Sequence, residues 1–408
     1  MSRLRTAVIV GAGQAGGRTA AQLRKQGWQD RILLLGEEAD PPYERPPLSK
    51  EVLTQAADPL TGRLYAPEWY QENDVELRLA CQVAALDLAD RTLTLATGGR
   101  ESWDVLVLAT GCRARRLDCP GADLAGVTTL RTAADARTLS SGLQAGAEVV
   151  LVGGGFIGLE LAASAAARGC SVTLLEARPQ LLERALPNQL SDFLAARHRR
   201  EGVELRLGVG VVAFEGEEKL QGLRLSDGSR LSADLAVIGV GALPNVELAQ
   251  AAGLACQDGI LVDSHCSAGG SVYALGDCSR HQDAWLGRPV RLESWENAER
   301  APQAAAGAIL DRPEPYGGVP WFWTDQYDVN LQLLGLKQPL EREVLRGDPE
   351  SGSFLSFGLA GERVVTAALV NAGRERRPVK QLMEGRIPLD ADALADPDVP
   401  LKQLTKGG

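Results

Sequence analysis

Thr6-Ala7-Val8-Ile9-Val10-Gly11-Ala12-Gly13-Gln14-Ala15-Gly16 is the stretch on which the fold turns. A short apolar run with β-branched residues reads as a buried strand, three glycines follow at G-x-G-x-x-G spacing, and Arg18 to Gln26 continues as a helix stopped by Gly27. Arg31 to Leu35 is a second buried strand, ending at Gly36 and Glu37. The whole has the length of a βαβ crossover. In such a turn the first glycine bends the chain, the second lets the backbone approach a pyrophosphate, and the third admits close packing of helix on strand. The open N–H groups at the helix start, at the positive end of the helix dipole, then hold a diphosphate with no cationic side chain.

The pattern returns further along the chain. Glu148 to Val152 is a strand, Gly153-Gly154-Gly155-Phe156-Ile157-Gly158 opens a helix running to Arg168, and Ser171 to Leu175 is a strand ending in Glu176. An isolated glycine triplet is weak evidence, but two copies in the same strand and helix setting make two dinucleotide-binding units. Each copy also places a carboxylate, Glu37 or Glu176, about 20 residues past its third glycine, where it accepts from ribose hydroxyls. Glu176 would repel a 2′-phosphate and so favours NADH over NADPH, although the guanidinium of Arg178 would pair with such a phosphate. After each unit comes a further buried strand ending in glycine, Asp104 to Gly111 with Thr110 before the glycine, and Asp234 to Gly241. Ser271 to Cys278 is another, ending in Gly276-Asp277, where an acid suits the ribityl or phosphate part of a flavin.

At 408 residues the chain exceeds the ~250 to 300 at which one hydrophobic core stops growing. Its 45% hydrophobic and 24% charged residues are ordinary for a globular protein. A net charge of -10 argues against nucleic acid or an anionic membrane as partner, since both need a positive field. Met1 to Gly17 imitates a secretory leader, with Arg3 and Arg5 before apolar residues, but Ala7 to Val10 is too short a core for one. No stretch reaches the ~18 apolar residues of a membrane span, and the expected location is the cytoplasm. The 7 cysteines are scattered, without C-x-x-C and without a histidine at metal-ligand spacing, which gives neither a zinc site nor a disulfide framework. His198, His265 and His281 have no Ser or Cys partner in a nucleophile motif and read as structural or exposed.

These motifs together resemble the two-dinucleotide-binding flavoproteins, of glutathione-reductase-like fold, and more narrowly the FAD-dependent NADH:ferredoxin reductases of bacterial oxygenase systems. The resemblance runs nearly end to end. It is carried by Pro42-Tyr43-Glu44-Arg45-Pro46-Pro47-Leu48-Ser49-Lys50, Gly153 to Glu160, Gly276-Asp277-Cys278, Arg291-Leu292-Glu293-Ser294 and Trp321-Phe322-Trp323-Thr324-Asp325-Gln326-Tyr327. It implies an α/β fold with two Rossmann-like domains and an α+β C-terminal domain. The expected layout is an FAD-binding domain over residues 1–108 and 240–316, an NAD-binding domain over 109–239 and a C-terminal domain over 317–408. Alternating stretches at Val329 to Leu336, Ser353 to Leu359 and Val364 to Val370 predict an antiparallel sheet there, with a terminal helix.

By the same resemblance Gly11, Gly13, Gly16, Glu37, Arg45, Lys50, Thr110, Gly111 and Asp277 touch FAD. Lys50 and Glu160 lie near its isoalloxazine, Trp323 stands beside flavin and nicotinamide, and Gly153, Gly155, Gly158, Glu176, Arg184 and Gly241 bind NADH. Relatives of the disulfide-reducing type carry redox cysteines after the first βαβ unit, and Pro41 to Leu53 has none. The electrons therefore go to an outside acceptor: a small acidic [2Fe–2S] ferredoxin feeding a cytochrome P450 or a Rieske oxygenase, or else a rubredoxin. Arg280, Arg288, Arg291, Arg300, Arg312, Arg374, Arg376 and Arg377 are candidate docking charges. A redox-sensing flavoprotein of the apoptosis-inducing-factor type is the reading from a different class. Trp321 and Trp323, two apart in an extended segment, face the same way and suit either a wall over a flavin or plain core packing.

Overall fold

The computed structural model describes residues 5–405. Two compact units divide the chain. One gathers the segment up to Glu44 with Leu60–Arg113 and Ala242–Gly318; the other gathers Arg45–Pro59, Ala114–Gly241 and the segment from Val319 onward. Met1 and Arg3 of the leader-like stretch lie outside the described residues, and Thr6–Val10 is a buried interior strand of a sheet.

In the first unit Thr6–Val10 lies between Arg31–Leu35 and Val105–Leu108, parallel to both. Val75–Arg78 and Val272–Ala274 extend the parallel order on either side, and Ser267–Gly269 closes one edge antiparallel. The central strands are apolar on both faces, as a sheet covered on both sides requires. Helix Gln14–Gln26 covers one face together with Trp295–Ile309, through Ala20 and Leu23 against Ala298, Ala301 and Ala305. Small residues at that contact let the two helices approach closely.

The second unit repeats the arrangement. Glu148–Val152 sits between Ser171–Glu176 and Leu235–Ile238, with Glu204–Leu207 and Val127–Thr129 at the edges, all parallel. Helix Phe156–Ala167 packs over them. The same unit contains a five-stranded antiparallel sheet ordered Trp321–Gln326, Val329–Leu334, Arg363–Val370, Ser353–Ala360 and Arg342–Asp348, followed by helix Arg376–Glu384. Three of those strands are the alternating stretches of the sequence. Trp321–Gln326 and Arg342–Asp348 carry no clean alternation of apolar and polar residues, and pairing with their neighbours defines them. Val329, Leu331, Phe354 and Val370 of this sheet share one core with Leu159, Leu161 and Leu174.

Candidate functional site

The two glycine turns are built alike. Gly11 has φ +111 and Gly153 has φ +114, a region open to glycine, and a Cβ there would stand 2.1 Å from the Ala109 carbonyl oxygen or 2.4 Å from that of Gly239. At the third glycine of each turn a Cβ would stand 1.9 Å from the Gly11 oxygen or 2.0 Å from the Gly153 oxygen. The second glycines differ from these in kind. Nothing lies within 4 Å of a Cβ placed on Gly13, and at Gly155 the nearest atom is 3.9 Å away. Both residues cap their helices with no side-chain acceptor, and neither helix carries an acid in its first turn. Uncapped N–H groups, open space at the second glycine and no acid in the helix's own first turn suit a diphosphate. Ile157, 44% exposed beside the second turn, is one of two large apolar side chains left open among the described residues.

The two acids sit differently. Glu176 is the last residue of its strand and reaches back to its own turn, Oε2 accepting from Gly154 N at 2.7 Å and Oε1 from Arg178 N at 2.8 Å. Glu37 stands two residues past its strand, exposed, and accepts from Gln82 at 3.3 Å. Arg178 pairs with Glu183 at 2.9 Å, and Arg184 is exposed. Gly241 is exposed too, its carbonyl accepting from Arg115 N at 2.9 Å.

Beside the first turn, Thr110 donates to the Asn245 carbonyl at 2.6 Å while the Asn245 amide donates to the Thr110 carbonyl at 2.9 Å, which fixes the bend at Gly111. A Cβ placed on Gly276 would stand 3.0 Å from the Ala15 Cβ, so Asp277 belongs to the same end of the sheet as the turn. The Cys112 thiol is 3.4 Å from the Asp277 carboxylate.

Within the second unit a buried ion pair forms. Lys50 Nζ lies 3.0 Å from Glu160 Oε1, with side chains 16% and 3% exposed. Glu160 is the charged residue of an otherwise apolar and small-residue helix, and Ser164 lies one turn on, on the same face. Ser49 donates to Glu160 Oε2, Ser164 donates to the Ser49 carbonyl at 2.6 Å, and Thr324 donates to Glu160 Oε1 at 2.7 Å. Pairing two buried charges barely offsets their desolvation, so such a pair is weak evidence of stabilisation and stronger evidence of use. Arg45 donates to the Arg131 carbonyl. Trp321 and Trp323 stack at 4.9 Å and 14°, half-buried, as their spacing predicted; Trp323 donates to Asp325 at 3.0 Å, and the Lys50 ammonium is 6.0 Å from its ring. Phe322, on the other face, packs on Phe156 at 4.6 Å. In the sequence Ser49 and Thr324 stand only inside longer motifs, with no role of their own, and Ser164 does not stand out. Their signal was the i, i+4 polar pair in an apolar helix and the polar residue one position beyond Trp323.

Among the described residues no two cysteines join in a disulfide. Burial pushes Cys119, Cys170, Cys256 and Cys278 upward and Cys266 to about 12, which leaves them protonated and poorly nucleophilic. Of the candidate docking arginines, Arg291 is tied to Asp258 and Glu293, Arg300 to Glu296, and Arg376 lies over Trp321 at 4.4 Å. No helix among the described residues is long and apolar enough to cross a membrane.

Comparison with known proteins follows the same lines. Residues 5–302 match the family model of the pyridine nucleotide-disulphide oxidoreductases, and residues 321–405 match that of the reductase C-terminal domain. The anthranilate 1,2-dioxygenase system ferredoxin–NAD(+) reductase component of Burkholderia cepacia is 41% identical, over 97% of this chain and 98% of its own. The 5,5'-dehydrodivanillate O-demethylase ferredoxin reductase subunit of a Sphingobium strain is 38% identical over 98% of both. Among solved structures, the reductase of a covalent putidaredoxin reductase–putidaredoxin complex superposes with a TM-score of 0.95 at 35% identity, covering 98% of each chain. With two matched glycine turns and a family model spanning most of its length, the chain belongs to the pyridine nucleotide-disulphide oxidoreductase family, in the branch that ends in a reductase C-terminal domain.

Proposed function

We propose that this protein is an NADH-dependent ferredoxin reductase: NADH and two oxidised ferredoxins become NAD⁺, a proton and two reduced ferredoxins. The observation that carries it is the end-to-end similarity to ferredoxin–NAD(+) reductase components, joined to two nucleotide turns and no thiol pair after the first. The chemistry FAD supplies when bound is the conversion of one two-electron hydride into single electrons. The acceptor is a small acidic [2Fe–2S] ferredoxin serving a cytochrome P450 or a Rieske oxygenase, and the setting is the cytoplasm.

In this reading residues 1–108 and 240–316 form the FAD-binding part, 109–239 the NAD-binding part and 317–408 the C-terminal domain. The amides at Gly11, Gly13 and Gly16 hold the FAD diphosphate, Glu37 its ribose, and Arg45, Thr110, Gly111 and Asp277 further parts of it. Gly153, Gly155 and Gly158 hold the NADH diphosphate, Glu176 its ribose hydroxyls, and Arg184 and Gly241 complete that site. Lys50, oriented by Glu160, stabilises negative charge electrostatically and passes no proton, and Trp323 walls the ring. Support for NADH over NADPH comes from Glu176, already fixed at the turn, and from Arg178, whose charge Glu183 offsets.

The test is a panel of purified [2Fe–2S] ferredoxins and rubredoxins mixed with the FAD-loaded protein and NADH or NADPH. Rapid reduction of a ferredoxin with NADH is expected. Reduction of rubredoxin alone would move the acceptor, and a colourless protein that never takes up FAD would end the proposal.

A further inference from the structure

The motif Trp321 to Tyr327 contains more polar residues than a flavin wall needs. Successive residues of strand Trp321–Gln326 face opposite ways, which puts Thr324 and Gln326 on one side, and both are buried. Thr324 donates to Glu160, the Gln326 amide donates to Thr324 at 3.0 Å, and Gln326 Oε1 lies 2.9 Å from His198 Nε2. His198 Nδ1 in turn lies 3.2 Å from the Tyr327 hydroxyl. His198, on helix Asn188–Arg200, is 0% exposed, and burial holds its imidazole below the usual value of 6.5. It is therefore neutral, with one ring proton to place.

The placement follows from the carboxylate end. A carboxylate only accepts, so Thr324 turns its proton to Glu160 and its oxygen accepts from Gln326. The Gln326 carbonyl end then faces His198 and must receive Nε2–H, which leaves Nδ1 to accept from Tyr327. Every donor in the line points toward Glu160.

Tyr327 is held there against its backbone preference. It is the first residue of the two-residue turn joining Gln326 to its partner Val329, at φ +57, a region suited to glycine or asparagine. An aromatic residue kept in that conformation argues that its side chain is wanted. What it adds is the hydroxyl on His198 and a ring 4.9 Å from the Arg197 guanidinium.

We infer that Thr324, Gln326, His198 and Tyr327 are positioning residues, a one-way line of hydrogen-bond donors that locks the Glu160 carboxylate onto Lys50 and makes the tautomer of His198 report on that pair. The inference rests on the proposed role of Lys50 and Glu160 beside the flavin.

Nitrogen NMR of ¹⁵N-histidine-labelled, FAD-loaded protein should show His198 as a single Nε2–H tautomer. Glu160→Gln, whose amide can present either an oxygen or an NH₂ to Thr324, should give a mixture. Gln326→Leu should slow stopped-flow reduction of the flavin by NADH roughly tenfold, because the carboxylate loses its fixed aim, while NAD⁺ binds as before. Tyr327→Gly relaxes the turn, so it should keep or raise the melting temperature, whereas a tyrosine wanted only for its packing on His198 and Arg197 would lower it. An unchanged tautomer in Glu160→Gln, together with wild-type flavin reduction in folded Gln326→Leu, overturns the inference. If instead Glu160→Gln itself reduces flavin normally yet shifts the tautomer, the line stands and the flavin-side role of the pair falls.

Discussion

The turn at Gly11 and the turn at Gly153 are one device built twice, and they part company two residues beyond the third glycine. There the first helix carries Arg18, on a partly exposed edge with Glu299 at 2.7 Å and Tyr65 at 2.9 Å, while the second carries Glu160, buried on Lys50. The acids differ in the same sense: Glu37 is exposed on a loop and Glu176 is strapped to its own turn. The shared part is backbone, which suits a diphosphate common to both nucleotides. The divergent part is side chain: a partly solvated arginine follows one turn, and a charged, buried cluster adjoins the other.

The sharpest way to break this comparison is the same substitution in both turns. Gly13→Ala and Gly155→Ala meet no protein atom at close range and have ordinary φ, so both proteins should fold. Gly13→Ala should bind FAD about 100-fold more weakly, near 2.7 kcal/mol, whereas Gly155→Ala should stay yellow and lose a similar factor in NADH affinity. Flavin content by absorbance and NADH titration read the two, and identical losses in both variants would erase the assignment of one nucleotide to each turn.

Next in size is the position that separates the helices. Glu160→Ala leaves Lys50 without its buried partner and should cost about 3 kcal/mol in denaturant unfolding of the FAD-loaded protein. Arg18→Ala, partly solvated, should cost under about 1 kcal/mol. Equal costs would mean that burial does not distinguish the two sites.

The acids come third. Glu176→Ala should narrow the preference for NADH over NADPH about tenfold, or 1.4 kcal/mol, in the ratio of kcat/KM values. Glu37→Ala should leave that ratio untouched. A preference unaltered by Glu176→Ala would put nucleotide selection elsewhere.

The smallest contrast is the response to acid. In the first unit Glu76 and Glu101 are pushed up by burial, but hydrogen bonds from Arg31 and Arg78 prevail and hold both below 4.5, so their contribution is lost only as pH falls through that lower range. In the second unit the depressed His198 resists a proton that the unfolded chain accepts, so its contribution fades as soon as pH drops below about 6.5. Hydrogen exchange between about pH 7 and about pH 5.5 should therefore loosen the second unit first, and the His198→Gln protein should lose that early step.

Much of this was legible in the residue order because local rules governed it. Glycine spacing behind an apolar run dictated strand, turn and helix twice, and the indole pair faced one way because strands alternate. Glu160 and Lys50 stood out through resemblance. Their supporting cast did not: Thr324 meets Glu160 and Gln326 meets His198 only through tertiary packing, across well over a hundred residues of chain. Nothing near His198 in sequence marks it as anything but a helix residue, and its partners sit on a hairpin far downstream. Strand Arg342–Asp348 escaped for a related reason, its charged edge pairing on one side only with Ser353–Ala360.

The cysteines have a bearing on how such a protein survives its own work. Electrons escaping from a reduced flavin to dioxygen make peroxide, which attacks thiolates far faster than thiols. Five of the sulfurs here are held protonated by burial, two of them deep in the interior, so these five should oxidise more slowly than a reporter thiol added to the surface. A chain that handles single electrons in air can thus keep ordinary cysteines as packing residues.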